Sequence, residues 1–527
     1  MSMAGAQATA PLLLRDALVI TGDAAGTRHE RADILIRDGR IEAIAASSPR
    51  TAAEPAARDP RTETVDASGL IALPGLINAH AHSNEAFEQG AWDKLPLERW
   101  LPRAYPPLPV PGLSPLPARW HYLRAMMTAA QSIRSGVTAL QDDLLNPACD
   151  AVPLDQTLEA YRDSGLRAQV ALTFADGGYL DGLPFARQIF PAALQSALDA
   201  QPLTPVPRQF EHALDALARW QGRAGGRLRL ALGPRGPQRC SRALLEQLAS
   251  LSADRGLALH MHVLETRAQA VSAKLKHGAS FIDYLDRCAM LSPRLTLNHA
   301  IWLTSEDIAR LGAAGCSSTH NPLSNMKLGS GRSPVRALLD AGVNVALGSD
   351  GAATSDTVDL IESLRAASLA HTLEEADPGR WIGAHEAFAM ATRGGARSML
   401  QDGEIGSLEP GKRADLVLLD RRHWSFVPLA DPLRQLAYSA GSEAVDSVIV
   451  DGRFVMRGRR ILAFDEAALR EEVAQAAEHY RRDWLPAMAR AAEALDPHLR
   501  AVLAKALAEP LHPEPGRGAQ SGCGGMA

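Results

Sequence analysis

At 527 residues and 46% hydrophobic content, the chain can bury a large core and is long enough for two domains. A net charge of −5 offers no basic face for nucleic-acid phosphates, and the longest apolar runs fall short of the roughly 20 residues of a membrane span. Cys149, Cys240, Cys288, Cys316 and Cys523 lie far apart with no Cys-x-x-Cys pair, which argues against a disulfide framework or a structural zinc cluster.

The start, Met1-Ser2-Met3-Ala4-Gly5-Ala6, lacks the basic n-region of a signal peptide, so a soluble cytoplasmic protein is expected. Residues 12–73 read as short strands with tight turns. Between residues 32–37 and 40–44, Asp38-Gly39 is a two-residue hairpin signal, because a type I′ turn needs positive φ at both central positions. The Ala/Pro/Arg-rich stretch 47–61 reads as a surface loop. This opening segment is too small to hold its own core. Its partner is expected near the other end, where 414–420 and 445–450 read as strands and Asp451-Gly452 repeats the turn before 453–456. One small β-sandwich built from both chain ends is the economical reading.

Between these segments apolar runs alternate with helical periods, which predicts βα units and a parallel sheet. The predicted strands end at His82, Asp142, Thr173, Gly233, His262, His299, His320 and Asp350. Helices are predicted over 118–135, 209–221, 241–253, 305–313 and 357–371, with Ser241 and Ser305 at N-cap positions. The fold class is therefore α/β, a (β/α)8 TIM barrel with its site at the C-terminal mouth. After Arg460 a helical tail is expected at 466–480 and 486–508, to wrap the barrel or mediate subunit contacts, and the Pro/Gly-rich end reads as disordered. The expected organisation is 1–70 and 401–462 for the sandwich halves, 71–400 for the barrel, 463–508 for the helical extension and 509–527 for the tail.

The strand ends carry the chemistry. Side chains two apart on a strand point the same way, so His80 and His82 can offer two imidazoles to one ion. A second pair, His260 and His262, precedes Glu265, and two further runs end in Asn298-His299 and Ser349-Asp350. Imidazole and carboxylate are ligands that Zn2+ or Fe2+ accepts, and these ends are expected to converge on one metal. His260 sits one layer deeper than His262 and reads as a hydrogen-bonded core histidine. His320 is a candidate wall or substrate contact, with a structural role as the alternative. Asp142 and Asp143 end the second strand at the same mouth, as substrate contacts or as loop structure. The long loop after the first strand, with Glu85, Trp92, Trp100 and Tyr105, is expected to lid the pocket. Glu85 and Trp92 are candidate substrate contacts there; a solvated carboxylate and plain packing are the alternatives.

With His80-Ala-His82, His262-Val-Leu-Glu265, His299-Ala-Ile-Trp302, His320-Asn321-Pro322-Leu-Ser-Asn325 and Gly348-Ser-Asp350-Gly351 in place, the chain resembles the amidohydrolase superfamily. The likeness is greatest to the branch of guanine, cytosine and S-adenosylhomocysteine deaminases and triazine hydrolases. Gly406-Ser-Leu-Glu-Pro-Gly411-Lys-Arg-Ala-Asp415-Leu also looks like that branch, and the resemblance spans residues 12–462. It implies one divalent metal, Zn2+ or Fe2+, bound by His80, His82, His262 and Asp350. Two-metal relatives bridge their ions with a carboxylated lysine on strand 3 or 4. None of the six lysines here, Lys94, Lys274, Lys276, Lys327, Lys412 and Lys505, falls in either strand, which favours one metal.

By the same resemblance, Asp350 would touch the metal and accept a proton from the attacking water, and His299 would hold or polarise the attacking oxygen. A bound metal acidifies water enough to supply hydroxide near neutral pH. Attack at an aromatic C–N carbon builds charge on the neighbouring ring nitrogen, so a carboxylic acid there lowers the barrier. Glu265 fits that role: it lies just past the strand, where a loop can turn it over the mouth. Nucleoside-deaminating relatives carry a His after strand 4, whereas this chain reads Gly233-Pro234-Arg235. The Arg235 fork suits a substrate carboxylate or carbonyl, which weakens the expectation of a nucleoside. The expected activity is hydrolytic deamination of an amino-substituted nitrogen heterocycle, a C–N bond other than a peptide bond, by a homo-oligomer (dimer or tetramer) acting on a small molecule. Hydrolysis of a cyclic amide or aryl chloride is the rival within enzymes; a non-catalytic barrel is the rival outside them.

Overall fold

The computed structural model describes residues 10–47, 59–373 and 375–511. Most of the loop expected at 47–61, and the tail from 512 on, lie outside the described residues. Eight parallel strands follow one another in chain order: Leu76–Ala81, Val137–Asp143, Arg167–Phe174, Leu228–Pro234, Leu259–Val263, Leu295–His299, Ser317–His320 and Asn344–Leu347. Helices between them cover the outside, so the strands are buried on both faces and most read as apolar runs; the seventh, Ser317–His320, is buried but polar throughout. The first and last strands meet at the mouth. There the Asp350 N–H donates to the His80 carbonyl at 2.9 Å and the Ser349 N–H to Asn78 Oδ1 at 3.0 Å. Gly348 permits this approach, since a Cβ there would lie 2.9 Å from His80 Cβ.

The boundaries differ from the expectation in a few places. The eighth strand ends at Leu347, and Asp350, with φ of +65°, already belongs to the turn. Ser241 caps its helix, accepting from the Leu244 N–H. The helix Ser305–Ala313 is capped instead by Thr304, in a reciprocal box with Asp307: the hydroxyl one residue earlier has the extended backbone that a cap requires. The tail forms Glu466–Glu493 and Asp496–Ala508. Pro486 sits inside the first of these helices rather than opening the second.

The small β domain is a nine-stranded sheet, and its order interleaves the two chain ends. Leu70–Pro74 pairs with Leu416–Asp420 antiparallel, and both hairpins form on their Asp-Gly turns, with φ of +50° and +75° at Asp38-Gly39 and +47° and +73° at Asp451-Gly452. Strand alternation gives this sheet two apolar faces. Leu416 and Leu418 pack inside the small domain, while Val417 and Leu419 join the barrel's core. Arg167, at the bottom of the third barrel strand and 2% exposed, binds Asp415 at 2.9 Å and Asp451 at 2.6 Å, tying both late segments to the barrel.

Candidate active site

The strand ends meet as their parity requires. The ring centroids of His80 and His82 are 4.7 Å apart, and His262 lies 4.8 Å from His80 and 5.3 Å from His82. Asp350 Oδ1 faces both first-strand imidazoles, at 3.5 Å from His80 Nε2 and 3.3 Å from His82 Nε2. The other nitrogen of each ring is occupied. His80 Nδ1 meets His260 Nε2 at 2.9 Å, His82 Nδ1 donates to the Asp143 carbonyl at 2.7 Å, and His262 Nδ1 faces the Asp143 carboxylate at 3.3 Å. Such outer partners fix the tautomer and leave the opposite nitrogen with a lone pair. His80 Nε2 is buried without any hydrogen-bond partner, the state expected of a ligand atom aimed at a cation. Three imidazoles and a carboxylate thus fit one divalent metal by donor chemistry.

Burial holds His260 neutral, its pKa pushed down to about 3, so its Nε2 serves as an acceptor for His80. Asp350 stays ionised: burial works against its charge, but the contact with His80 and the neighbouring imidazoles of His299 and His82 hold it well below the usual carboxylate range.

Glu265 and His299 flank this centre. Leu264 takes φ of +52° directly after the fifth strand, and that turn brings Glu265 over the mouth despite its strand parity. Glu265 is 3% exposed; its N–H is held by Gln269 Oε1 at 2.9 Å. His299 has φ of +69°, a strained conformation of the kind that clusters at functional sites. Its Nδ1 meets Asn325 Oδ1 at 2.9 Å, which leaves Nε2 facing Asp350 Oδ2 at 3.8 Å and Glu265 Oε2 at 3.9 Å.

A family model described as "Amidohydrolase family" matches residues 71–455. The chain belongs to the amidohydrolase family. It is 31% identical to a 5'-deoxyadenosine deaminase of Methanosarcina mazei over 89% of this chain and 98% of that protein. It is 34% identical to a 5-methylthioadenosine/S-adenosylhomocysteine deaminase of Desulforudis audaxviator over 86% and 95%. Among solved structures, a zinc-bound adenosine deaminase from Xanthomonas campestris superposes with a TM-score of 0.77, 26% identity and coverage of 89% and 98%. An atrazine chlorohydrolase variant from Arthrobacter aurescens, complexed with zinc and atraton, gives 0.78, 27%, 88% and 100%. This amidohydrolase is a metal-dependent hydrolase of carbon–nitrogen bonds other than peptide bonds.

Within the amidohydrolase barrel, a cavity of about 130 Å³ opens on the centre, lined by Glu85, Trp100, Tyr105, Arg235, Glu265 and His299 among others. A larger cavity of about 610 Å³ adjoins it, sharing Leu101, Tyr105, Leu145, Thr173, Arg235 and Arg239. The Arg235 guanidinium is half-buried between the two and makes no hydrogen bond or ion pair with the described residues, so its fork is free for a ligand. Burial and the nearby Arg239 depress its pKa. Glu85 accepts from the Tyr105 hydroxyl at 2.8 Å, and burial raises its carboxyl to about 8.

Two candidate contacts lie elsewhere. Trp92 does not line either cavity; its indole N–H donates to Glu88 at 3.0 Å and its ring packs beside Trp100, because the loop turns it away from the mouth. His320 is buried against His371, with Nε2 to Nε2 at 3.3 Å, and is also absent from the cavity walls. The structural alternative fits both residues. Asp142 takes the Ser83 N–H and hydroxyl and the Tyr161 hydroxyl, which makes it a structural anchor. Asp143, which the sequence leaves open between substrate contact and loop structure, supports His82 and His262, and Asn325 supports His299. The motif around Asn321 and Asn325 was the only signal that could have flagged Asn325.

Proposed function

We propose that the protein deaminates an amino-substituted nitrogen heterocycle, using one divalent metal, Zn2+ or Fe2+, held by His80, His82, His262 and Asp350. The observation that carries this reading is the position of His299 Nε2 between the carboxylates of Asp350 and Glu265, at 3.8 and 3.9 Å, beside the three converging imidazoles. Zinc is favoured by the zinc-bound solved relatives. The metal supplies Lewis acidity and lowers the pKa of water.

The chain's own groups then divide the proton work. Asp350 accepts the proton of the attacking water at its carboxylate, and His299 Nε2 orients the attacking oxygen. Glu265 donates its proton to the ring nitrogen beside the reacting carbon, takes the remaining proton of the attacking oxygen as the carbonyl forms and carries it on to the departing ammonia; the proton held by Asp350 then restores Glu265. Arg235 holds a carbonyl or carboxylate of the substrate through its fork, and Glu85 offers a polar group on the opposite wall. Trp100 and Tyr105 exclude water from the inner cavity. The adjoining cavity gives room for a ring substituent, in keeping with relatives named for adenosine-type substrates.

Ammonia release from a panel of adenosine-type nucleosides, aminopurines, pterins, pyrimidines and triazines tests the reading. No ammonia from any of them, with cleavage of a cyclic amide or an aryl chloride instead, overturns it. That second reading has its own support in the chlorohydrolase neighbour on the same scaffold. Metal analysis of the purified protein separates an enzyme from a silent barrel: less than about half an equivalent after growth with zinc and iron would contradict an intact three-histidine site.

Two further elements belong to the same proposal. Self-association as a homo-oligomer is favoured by Trp424 and Leu373, which are 84% and 85% exposed, and light scattering reads it. A cytoplasmic location is favoured by Cys149, Cys240, Cys288 and Cys316, all free and buried. Among the described residues, no helix is long and apolar enough to cross a membrane.

A further inference from the structure

The two C-terminal helices cross the loops that ring the mouth of the barrel. The first, Glu466–Glu493, lies along the barrel helix Ala118–Arg134, paired through Glu466 to Arg134 and Glu472 to Arg119. From it the Tyr480 hydroxyl donates to buried Glu88 at 2.8 Å, and Arg481 donates to the Gln89 carbonyl at 3.0 Å. Glu88 closes the short helix Ser83–Glu88, which also carries Glu85 of the inner cavity.

The second helix, Asp496–Ala508, reaches three of those loops. Asp496 binds Arg99 with two hydrogen bonds, 2.8 and 3.1 Å, and Arg103 at 3.4 Å. Leu495, Leu499 and Val502 pack against Leu180, Phe190 and Leu198 of the excursion after the third strand. Arg267, just past Glu265, donates to the carbonyls of Ala506 and Glu509 at 3.3 and 2.8 Å.

The grip of Asp496 bears directly on the pocket. Arg99 and Arg103 are one turn apart on the helix Leu97–Ala104, whose Leu97, Trp100 and Leu101 form a wall of the inner cavity. On the other side of that helix, buried Glu98 accepts from the Thr266 hydroxyl, next to Glu265. The wall is therefore held between the barrel's own fifth loop and a carboxylate supplied nearly 400 residues later. A paired, part-buried Arg–carboxylate contact is among the stronger polar links available.

We propose that Asp496 and Tyr480 are positioning residues: the C-terminal helix pair fixes the excursion after the first strand and thereby sets the width of the substrate pocket. The inference rests on the pocket being the substrate site, as proposed above. The test uses the full-length, metal-loaded protein with Asp496→Ala, Arg99→Ala, Tyr480→Phe and, as a conservative variant, Asp496→Glu. Arg119→Ala serves as control, since it removes a single contact between tail and barrel, to Glu472, away from the mouth. Amide hydrogen exchange over residues 97–105 and the metal content need no substrate. Exchange at 97–105 is expected to rise about tenfold in Asp496→Ala and Arg99→Ala, with metal retained. It should stay near wild type in Arg119→Ala and be largely restored in Asp496→Glu.

With an active substrate, KM should rise about tenfold in Asp496→Ala and by a smaller factor in Tyr480→Phe, while kcat stays within about twofold. Exchange at 97–105 within about twofold of wild type in both Asp496→Ala and Arg99→Ala overturns the proposal, as does an equal rise in Arg119→Ala. A rise confined to the Asp496 and Arg99 variants sustains it, even if no heterocycle in the panel releases ammonia.

Discussion

The backbone carbonyl of Asp143 accepts the Nδ1 proton of His82 at 2.7 Å, and the carboxylate of the same residue faces His262 Nδ1 at 3.3 Å. One residue at the end of the second strand therefore orients two imidazoles from strands one and five. Its carboxylate can be removed without disturbing the carbonyl. Asp143→Ala is expected to weaken metal affinity about 10- to 100-fold, measured by competition with a chelator, while the melting temperature of the apo protein changes little. Unchanged affinity would show that the tautomer of His262 is set by something else.

Glu265 touches the centre from outside the ligand cluster. Glu265→Gln keeps the shape and the Gln269 contact to the backbone but removes the transferable proton. The expected loss is on the order of 10²- to 10⁴-fold in kcat, with metal content by mass spectrometry unaffected. A variant that loses its metal instead would place Glu265 among the ligands.

The buried pair of His320 and His371 gives the fold an acid limb. Burial lowers the pKa of His371 to about 4 and that of His320 well below its ordinary value. The unfolded chain therefore binds more protons than the native one below about pH 6.5. The stability this pair contributes is complete above that pH and is lost as pH falls through about 4. His371→Asn should flatten the decline of melting temperature between those limits. An unaltered slope would assign the acid limb to other groups.

Arg167 compensates Asp415 and Asp451 in a site nearly closed to solvent, at 2.9 and 2.6 Å. Arg167→Ala leaves the buried Asp415 carboxylate without its ion partner at the junction of barrel and β domain, while Asp451 keeps Arg413 at 3.6 Å and Arg227 at 3.9 Å, and is expected to cost about 3–5 kcal/mol. Chemical denaturation followed by tryptophan fluorescence measures this. A cost below about 1 kcal/mol would be that of a surface pair.

The sequence by itself determined the barrel and the convergence. Strands buried on both faces are mostly apolar, so most of the eight stand out against the helical periods between them; the seventh, Ser317–His320, is polar throughout and is the least legible. A His-x-His pair on a strand end can only point one way. That was enough to bring His80, His82, His262 and Asp350 to one place. Only the tertiary structure decided what surrounds them. The support of His80 by His260, of His299 by Asn325, and of two imidazoles by Asp143 consists of single hydrogen bonds between polar groups far apart in the chain. No periodicity marks such partners. Loop direction was equally hidden: the left-handed turn at Leu264 brings Glu265 over the mouth, while the loop after the first strand turns Trp92 away, because backbone torsions past a strand end depend on what the loop packs against. The clamp of Asp496 on Arg99 lay furthest from view. An acidic residue opening a late helix is an ordinary surface pattern until folding sets the pocket wall beside it.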